Sequence, residues 1–245
     1  MEEKIRILDL DVDILAQEQL SEKIRQQFHN NKISTSIFVT TKMIERAAED
    51  EAYQKRLNGF DMLLPGENEV FSNCQLDMLK SQNIETDYHS FLRLLQFFAE
   101  EKKNIYMVGS KLKSMEHFLY YCDLQFPALS VAGTFFREEN TKEANILNDI
   151  NVVCPDVVLI ALPSPLQETW MQENANKISG KLCIGMGSIL PSILEAYENS
   201  DNVVKKNIVV RAMKKLCRVG RQFFQRKVFR MELNYYSQKK KKTES

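Results

Sequence analysis

An α/β fold, built on a mainly parallel sheet with helices on both faces, is what this sequence predicts, and three observations lead to it. Short apolar runs rich in β-branched residues recur along the chain. Most are followed by a stretch whose apolar residues fall at helical spacing, and this alternation suits strand–crossover–strand units of a parallel sheet. The 245 residues suffice for one large domain or a domain with an appendage, while 8 glycines and 6 prolines are too few for long disordered linkers.

The elements follow in order. Lys4–Val12 (KIRILDLDV) sets apolar residues against charged ones. Its phase slips by one at Ile7-Leu8, which suggests a bulge, and it reads as a half-exposed strand, alone or in a hairpin. Ile14–Phe28 is helical, Thr35–Thr40 a buried strand, and Lys42–Leu57 an amphipathic helix. Asp61–Gly66 is a short strand closed by a turn, with a helical stretch from about Asn68. His89–Lys102 places Phe91, Leu94, Leu95 and Phe98 on one helix face, which serves either the core or a homo-oligomer interface. Asn104–Val108 is a strand ending at Gly109-Ser110, Ser114–Leu124 a helix, and Ala128–Gly133 a strand followed by a polar loop and a helix to about Ile150. Val157–Leu162 is the clearest buried strand. Lys181–Gly187 is the last, with a glycine end, and Ile189–Tyr197 is mixed in character.

After Leu162 the chain reads Pro163-Ser164-Pro165 and turns helical to about Ile178. Ser164 is the expected N-cap, Pro165 the first helical residue and Gln167 the third, a capping box. Ligands of open α/β sheets bind at such strand-to-helix turns, where free N–H groups face the crevice. Ser164–Glu168 therefore either contacts a phosphate or sugar, or simply caps the helix with Glu168 favourable to its dipole. Gly109 and the pair Gly185 and Gly187 end two strands, where glycine admits close approach of a ligand or serves only the turn. Glu67 and Glu69 follow Pro65-Gly66 at another strand-to-helix turn, as a general base or as first-turn acids.

Net charge is zero but unevenly placed. From Val203 onward there are 14 Lys/Arg against 2 acidic residues, +12, while residues 1–202 hold 19 basic and 31 acidic residues, −12. We therefore divide the chain into an α/β body (1–202), a basic amphipathic helical appendage (203–236) and a Lys-rich disordered tail (237–245). Phe223, Phe224 and Phe229 among arginines suit either packing on the body or an anionic membrane surface. The acidic body argues against nucleic acid. Five scattered cysteines without a CxxC pair, and three histidines without ligand spacing, predict neither disulfides nor a metal and fit a reducing compartment. The charged start Met1-Glu2-Glu3-Lys4 is unlike a signal peptide, and no apolar run is long enough for a membrane span. GxGxxG, GxSxG, HExxH and Walker patterns are all missing, which weakens a nicotinamide-dependent oxidoreductase reading.

The order of these pieces resembles the WecG/TagA/CpsF glycosyltransferases from about Ile5 to Tyr236. Ile7–Asp13 is similar to that family's opening strand and turn, Asn104–Ser110 to its (V/I)(F/Y)LLGG strand, and Ala132–Phe136 to VGTxxGYF. Asn151 with Pro155–Glu168 is similar to INxSGADILxVGLGxPKQE, whose Pro-x-Gln-Glu segment is the most specific match. Ile184–Gly187 matches IGVGG in part, and Arg211–Lys214 with Gly220 resembles RAPKW…LGLEW.

The resemblance implies a Rossmann-like fold. It implies an inverting enzyme, without cofactor or required metal, that moves a sugar such as N-acetylmannosamine from a UDP-sugar donor. The acceptor is lipid-linked, on undecaprenyl pyrophosphate, at the cytoplasmic membrane face. Carried across, Gln167 and Glu168, with Pro165, contact sugar or nucleotide. Gly109, Ser110, Gly185 and Gly187 line the nucleotide crevice, and Arg211, with Arg218 and Arg221, meets the diphosphate in place of a metal.

This chain also departs from the pattern. Leu64-Pro65-Gly66-Glu67 stands for Leu-Pro-Asp-Gly, so the family's Asp base is Gly66 and Glu67 is the candidate base one residue on. Val39–Met43 lacks the asparagine of VTxNxE, and Ser110 and Ser188 replace the second glycine of two pairs. The alternative is a catalytically silent member that binds a nucleotide sugar or a membrane-associated partner.

Overall fold

A computed structural model describes residues 4–71, 79 and 84–200. The expected appendage and tail, with Arg211, Arg218 and Arg221, lie outside the described residues, as do Cys74 and Cys217. The chain opens with an antiparallel hairpin of β1 (Lys4–Ile7) and β2 (Leu10–Asp13). The expected bulge is instead the hairpin turn. Leu8 and Asp9 both adopt positive φ, 45° and 65°, which matches the twist of a two-residue hairpin.

Then come α1 (Gln17–Phe28), β3 (Ser34–Val39), α2 (Thr41–Glu49), α3 (Glu51–Asn58) and β4 (Met62–Pro65). The helix expected over Lys42–Leu57 is broken at Asp50, because the Asp50 carboxylate accepts from Tyr53 N at 3.0 Å and so starts a new helix. A single 3-10 turn, Asn68–Phe71, follows β4. The remaining elements among the described residues are α4 (His89–Glu100), β5 (Asn104–Gly109), α5 (Leu112–Gln125), β6 (Ser130–Phe136), α6 (Glu143–Val153), β7 (Val157–Ala161), α7 (Leu166–Asn174) with a 3-10 turn at Ala175–Lys177, β8 (Leu182–Gly185) and α8 (Leu190–Ser200). The stretch read as mixed, Ile189–Tyr197, is thus mostly helix.

Six strands form one sheet in the order β4-β3-β8-β7-β5-β6, and every neighbouring pair is parallel. Side chains alternate between its faces. Ile37, Val39, Val158 and Ile160 pack with α2, α3, α6 and α7 on one side. Phe38, Leu159 and Ile184 pack with α1, α4, α5 and α8 on the other. The strand Val157–Ala161 is buried along its whole length, so it reads as an unbroken apolar run rather than an alternating one. Phe91, Leu94, Leu95 and Phe98 are all buried, which settles them as core. Cys122, Cys154 and Cys183 are free thiols. Burial pushes the Cys183 thiol up to about 12. No helix among the described residues is long and apolar enough to cross a membrane.

The N-terminal hairpin guards an edge. Asp13 is wholly buried, and its Oδ2 accepts from Leu63 N at 3.0 Å, a backbone donor of edge strand β4. Lys23 Nζ donates to Oδ1 at 3.0 Å, and Lys4 Nζ lies 3.8 Å from Oδ2. The carboxylate thus satisfies an edge amide that would otherwise be buried without a partner. Asp13→Ala is expected to cost about 1–3 kcal/mol, read as a lower urea midpoint at unchanged m-value.

Candidate functional site

In a parallel sheet all carboxyl ends lie on one edge, so the loops that leave them share a rim. Here that rim gathers Thr41 after β3, Glu67 after β4, Ser110 after β5, Arg137 after β6, Pro163–Gln167 after β7 and Gly187 after β8. Neighbours β5 and β7 send their chains to opposite faces, into α5 and α7 respectively. Such a divergence opens a crevice at the strand ends, the usual ligand position in open α/β sheets. Arg137 N donates to Gly109 O at 2.8 Å, which holds the β6 exit against the β5 exit beside it.

Gln167 and Glu168 are both wholly buried. Gln167 Oε1 accepts from Gly187 N at 2.6 Å, which ties the first turn of α7 to the turn after β8, while Nε2 has no hydrogen-bond partner among the described residues. Glu168 Oε1 accepts from the Tyr53 hydroxyl at 2.9 Å, and Oε2 has no partner among the described residues. Both side chains therefore support the rim from beneath, each with one unpaired polar atom.

The expected capping box is not formed. Pro165, not Ser164, occupies the N-cap of α7, and Ser164 Oγ instead lies 3.0 Å from Tyr53 Oη. Burial pushes the Tyr53 phenol well above its ordinary range; Glu168's charge adds to this, while the Ser164 hydrogen bond opposes it.

The glycines are explained by the protein's own packing. A Cβ on Gly187 would lie 1.8 Å from Leu162 O, and one on Gly185 would meet the Gln167 carboxamide at 2.9 Å. At Gly109 the nearest atom is the Met115 sulfur at 2.4 Å, the flexible part of a side chain. Ser110 is half-buried at the rim, and Ser188 Oγ donates to Phe38 O at 2.9 Å.

Glu67 is half-buried. Its Oε1 accepts from Thr41 N and Thr41 Oγ1, both at 2.6 Å, at the N-terminus of α2. Oε2 makes no hydrogen bond among the described residues. One carboxylate thus does the helix-capping work and retains an oxygen for a ligand.

Sequence reasoning missed three partners. Tyr53 reads as an apolar helix position, and no local pattern links it to Ser164 or Glu168, more than a hundred residues on. Thr41 lies inside the departed VTxNxE segment. Arg137 is paired with Glu143 at 2.8 Å, and Trp170 Nε1 donates to the same carboxylate, so the β6 exit, α6 and α7 are joined. A lone arginine just past a strand was the available signal.

Two open cavities of about 740 and 780 Å³ lie at the opposite, amino-terminal edge, both lined by Lys32, Ile33 and Asn176. They gather none of the residues above, and the chemistry points to the carboxyl rim. His89 does stand near Glu85 and Asp87, with ligand atoms within 4.8 Å of one another. Those carboxylates are already engaged, Glu85 with Arg93 and Asp87 with Asn68 and with His89.

Comparison with known proteins places the chain in a family. The glycosyl transferase WecG/TagA/CpsF family matches residues 5–227. Among relatives, the N-acetylglucosaminyldiphosphoundecaprenol N-acetyl-beta-D-mannosaminyltransferase of Staphylococcus aureus strain MRSA252 is 22% identical over 227 residues, covering 89% of this chain and 87% of its own. The protein of the same name from strain NCTC 8325 / PS 47 is similar to the same extent.

The packing of the glycines yields an ordering. Gly187→Ala forces backbone against backbone and is expected to cost about 1–3 kcal/mol in thermal unfolding. Gly109→Ala asks only Met115 to move and should cost less; equal losses would contradict the tight β7–β8 approach.

Proposed function

The chain belongs to the WecG/TagA/CpsF glycosyltransferase family, and from that premise we propose that it moves an N-acetylhexosamine, of the N-acetylmannosamine kind, from UDP to a sugar carried on undecaprenyl diphosphate. The observation that carries the reading is Glu67, a rim carboxylate fixed through one oxygen and open at the other. In this reaction Oε2 takes the proton of an acceptor hydroxyl as that oxygen bonds to the anomeric carbon of the donor. The bond from the anomeric carbon to the UDP oxygen breaks, and a single displacement inverts the configuration. Anchoring by Thr41 keeps the base in one position, which favours an oriented attack.

Arg211, Arg218 and Arg221 are assigned to the leaving diphosphate. Guanidinium groups pair bidentately with phosphate and make a metal dispensable for that charge. The nucleotide is assigned to the crevice beside Gly109, Ser110, Pro165, Gly185 and Gly187, with Gln167 and Glu168 behind it. Residues 203–236, as an appendage, bring the chain to the anionic inner face of the membrane, where a lipid-linked acceptor resides. Each basic residue near such a surface contributes about 1 kcal/mol.

A second reading, a silent member that binds without turnover, draws on the same carboxylate, since capping α2 is a sufficient structural role for Glu67. Kinetics separate the two. Glu67→Gln should lower transfer at least about a hundredfold while UDP affinity by calorimetry stays unchanged. A wild-type chain that binds UDP but transfers no sugar would favour the silent reading. For the membrane, deletion of residues 204–245 is expected to abolish sedimentation with anionic liposomes; equal sedimentation of the truncated chain would refute that role.

A further inference from the structure

Behind the exposed Ser164 runs a chain of three hydroxyl and carboxylate groups whose polarity is fixed by elementary chemistry. Glu168, 0% exposed, accepts at Oε1 from Tyr53 and leaves Oε2 without a partner among the described residues. Tyr53 is 4% exposed, and its oxygen lies 3.0 Å from Ser164 Oγ. A carboxylate only accepts, and a phenol has one proton to give. Glu168 takes that proton's hydrogen bond, so the contact between Tyr53 and Ser164 is made by Ser164 donating to the phenolic oxygen. Burial keeps the phenol protonated, since it raises its pKa far above neutrality.

The single proton of Ser164 is therefore turned inward, and what this exposed residue offers a ligand is its lone pairs. A hydroxyl held this way accepts but does not donate. Phosphate oxygens also only accept, so Ser164 is mismatched to a diphosphate. It is matched to a sugar hydroxyl or to the N–H of an acetamido group. Of the two ligand parts first considered for this turn, the phosphate and the sugar, the polarity selects the sugar.

Resting on the glycosyl-transfer reading, we infer that Ser164 is a specificity residue that reads a hydroxyl or amide N–H of the transferred sugar, and that Tyr53 and Glu168 are positioning residues that hold it as an acceptor. The chain joins α3 to the β7–α7 turn, so the recognition depends on residues 53, 164 and 168 together.

The test compares calorimetric affinities of the full-length chain for UDP, UDP-N-acetylmannosamine and UDP-N-acetylglucosamine. The wild type is expected to bind one sugar nucleotide more tightly than UDP. Ser164→Ala should weaken that sugar nucleotide about three- to tenfold with UDP affinity unchanged. Ser164→Thr, which keeps the hydroxyl, should restore most of the difference. Tyr53→Phe frees the serine proton and should erode the same difference while leaving UDP affinity in place. An unchanged ratio of sugar nucleotide to UDP in Ser164→Ala overturns the inference but leaves the donor site intact. Parallel losses for UDP and sugar nucleotide also overturn it, because they mark a merely structural role. A wild type that binds no UDP overturns the functional reading itself, and a wild type with no preference for either sugar nucleotide over UDP removes the sugar contact.

Discussion

The hydrogen bond from Gly187 N to the buried Gln167 carboxamide holds the rim together. It links the exits of β7 and β8, two central strands, through a side chain in the first turn of α7. The same approach brings Gly187 so close to Leu162 that no Cβ fits. The carboxamide, the missing Cβ and the strand-to-helix turn are thus one constraint. If Gln167 lost its place, the partly buried amide of Gly187 in the turn after β8 would lose its partner, which is costly. The loop bearing Ser164 and the helix bearing Glu168 are aligned from this fixed point.

Much of the body was legible because its signals are local. Val157–Leu162 is apolar without interruption, as a strand covered on both faces must be, and Gly109 and Gly185 do stand at strand ends. What escaped depends on backbone conformation or on distant partners. Leu8 and Asp9 adopt positive φ although neither is glycine, so the turn of the hairpin looked like a bulge. Asp50 starts a helix by capping Tyr53, but within an amphipathic pattern it passed as one polar position. Ser164 followed by Pro165 has the composition of a capped start, yet its hydroxyl is claimed by Tyr53, which no spacing rule connects to it.

The candidate residues of the rim were legible at strand-to-helix turns, while the roles given to them came from resemblance, and there the detail matters. Moving a carboxylate one residue along, from position 66 to 67, also changes its reach and its support. Gly66 is tightly enclosed, with Ile189 Cγ2 and Val39 O within 3 Å of where a Cβ would stand. Any side chain there would have to displace these neighbours. Glu67 lies outside that restriction and reaches Thr41, so the helix after β3 and the carboxylate after β4 are coupled. At this departure from the family pattern, two adjacent strand exits are tied to each other by the Glu67–Thr41 hydrogen bonds.

The strand order also governs how the chain can assemble. β8 lies between β3 and β7, yet it is the last of the described strands to be made, and it pairs Ser34 with Leu182. Until Leu182–Gly185 leaves the ribosome, the sheet exists as two separate fragments, β4-β3 and β7-β5-β6, each with an unpaired edge of nearly bare apolar strand. Parallel pairing across so long an interval closes slowly, because the loop entropy must be overcome before the contacts form. The final strand acts as a keystone during synthesis. The newly made chain passes through a stage in which both halves are open to strand pairing with other chains, and this ends only when almost the whole body has been translated.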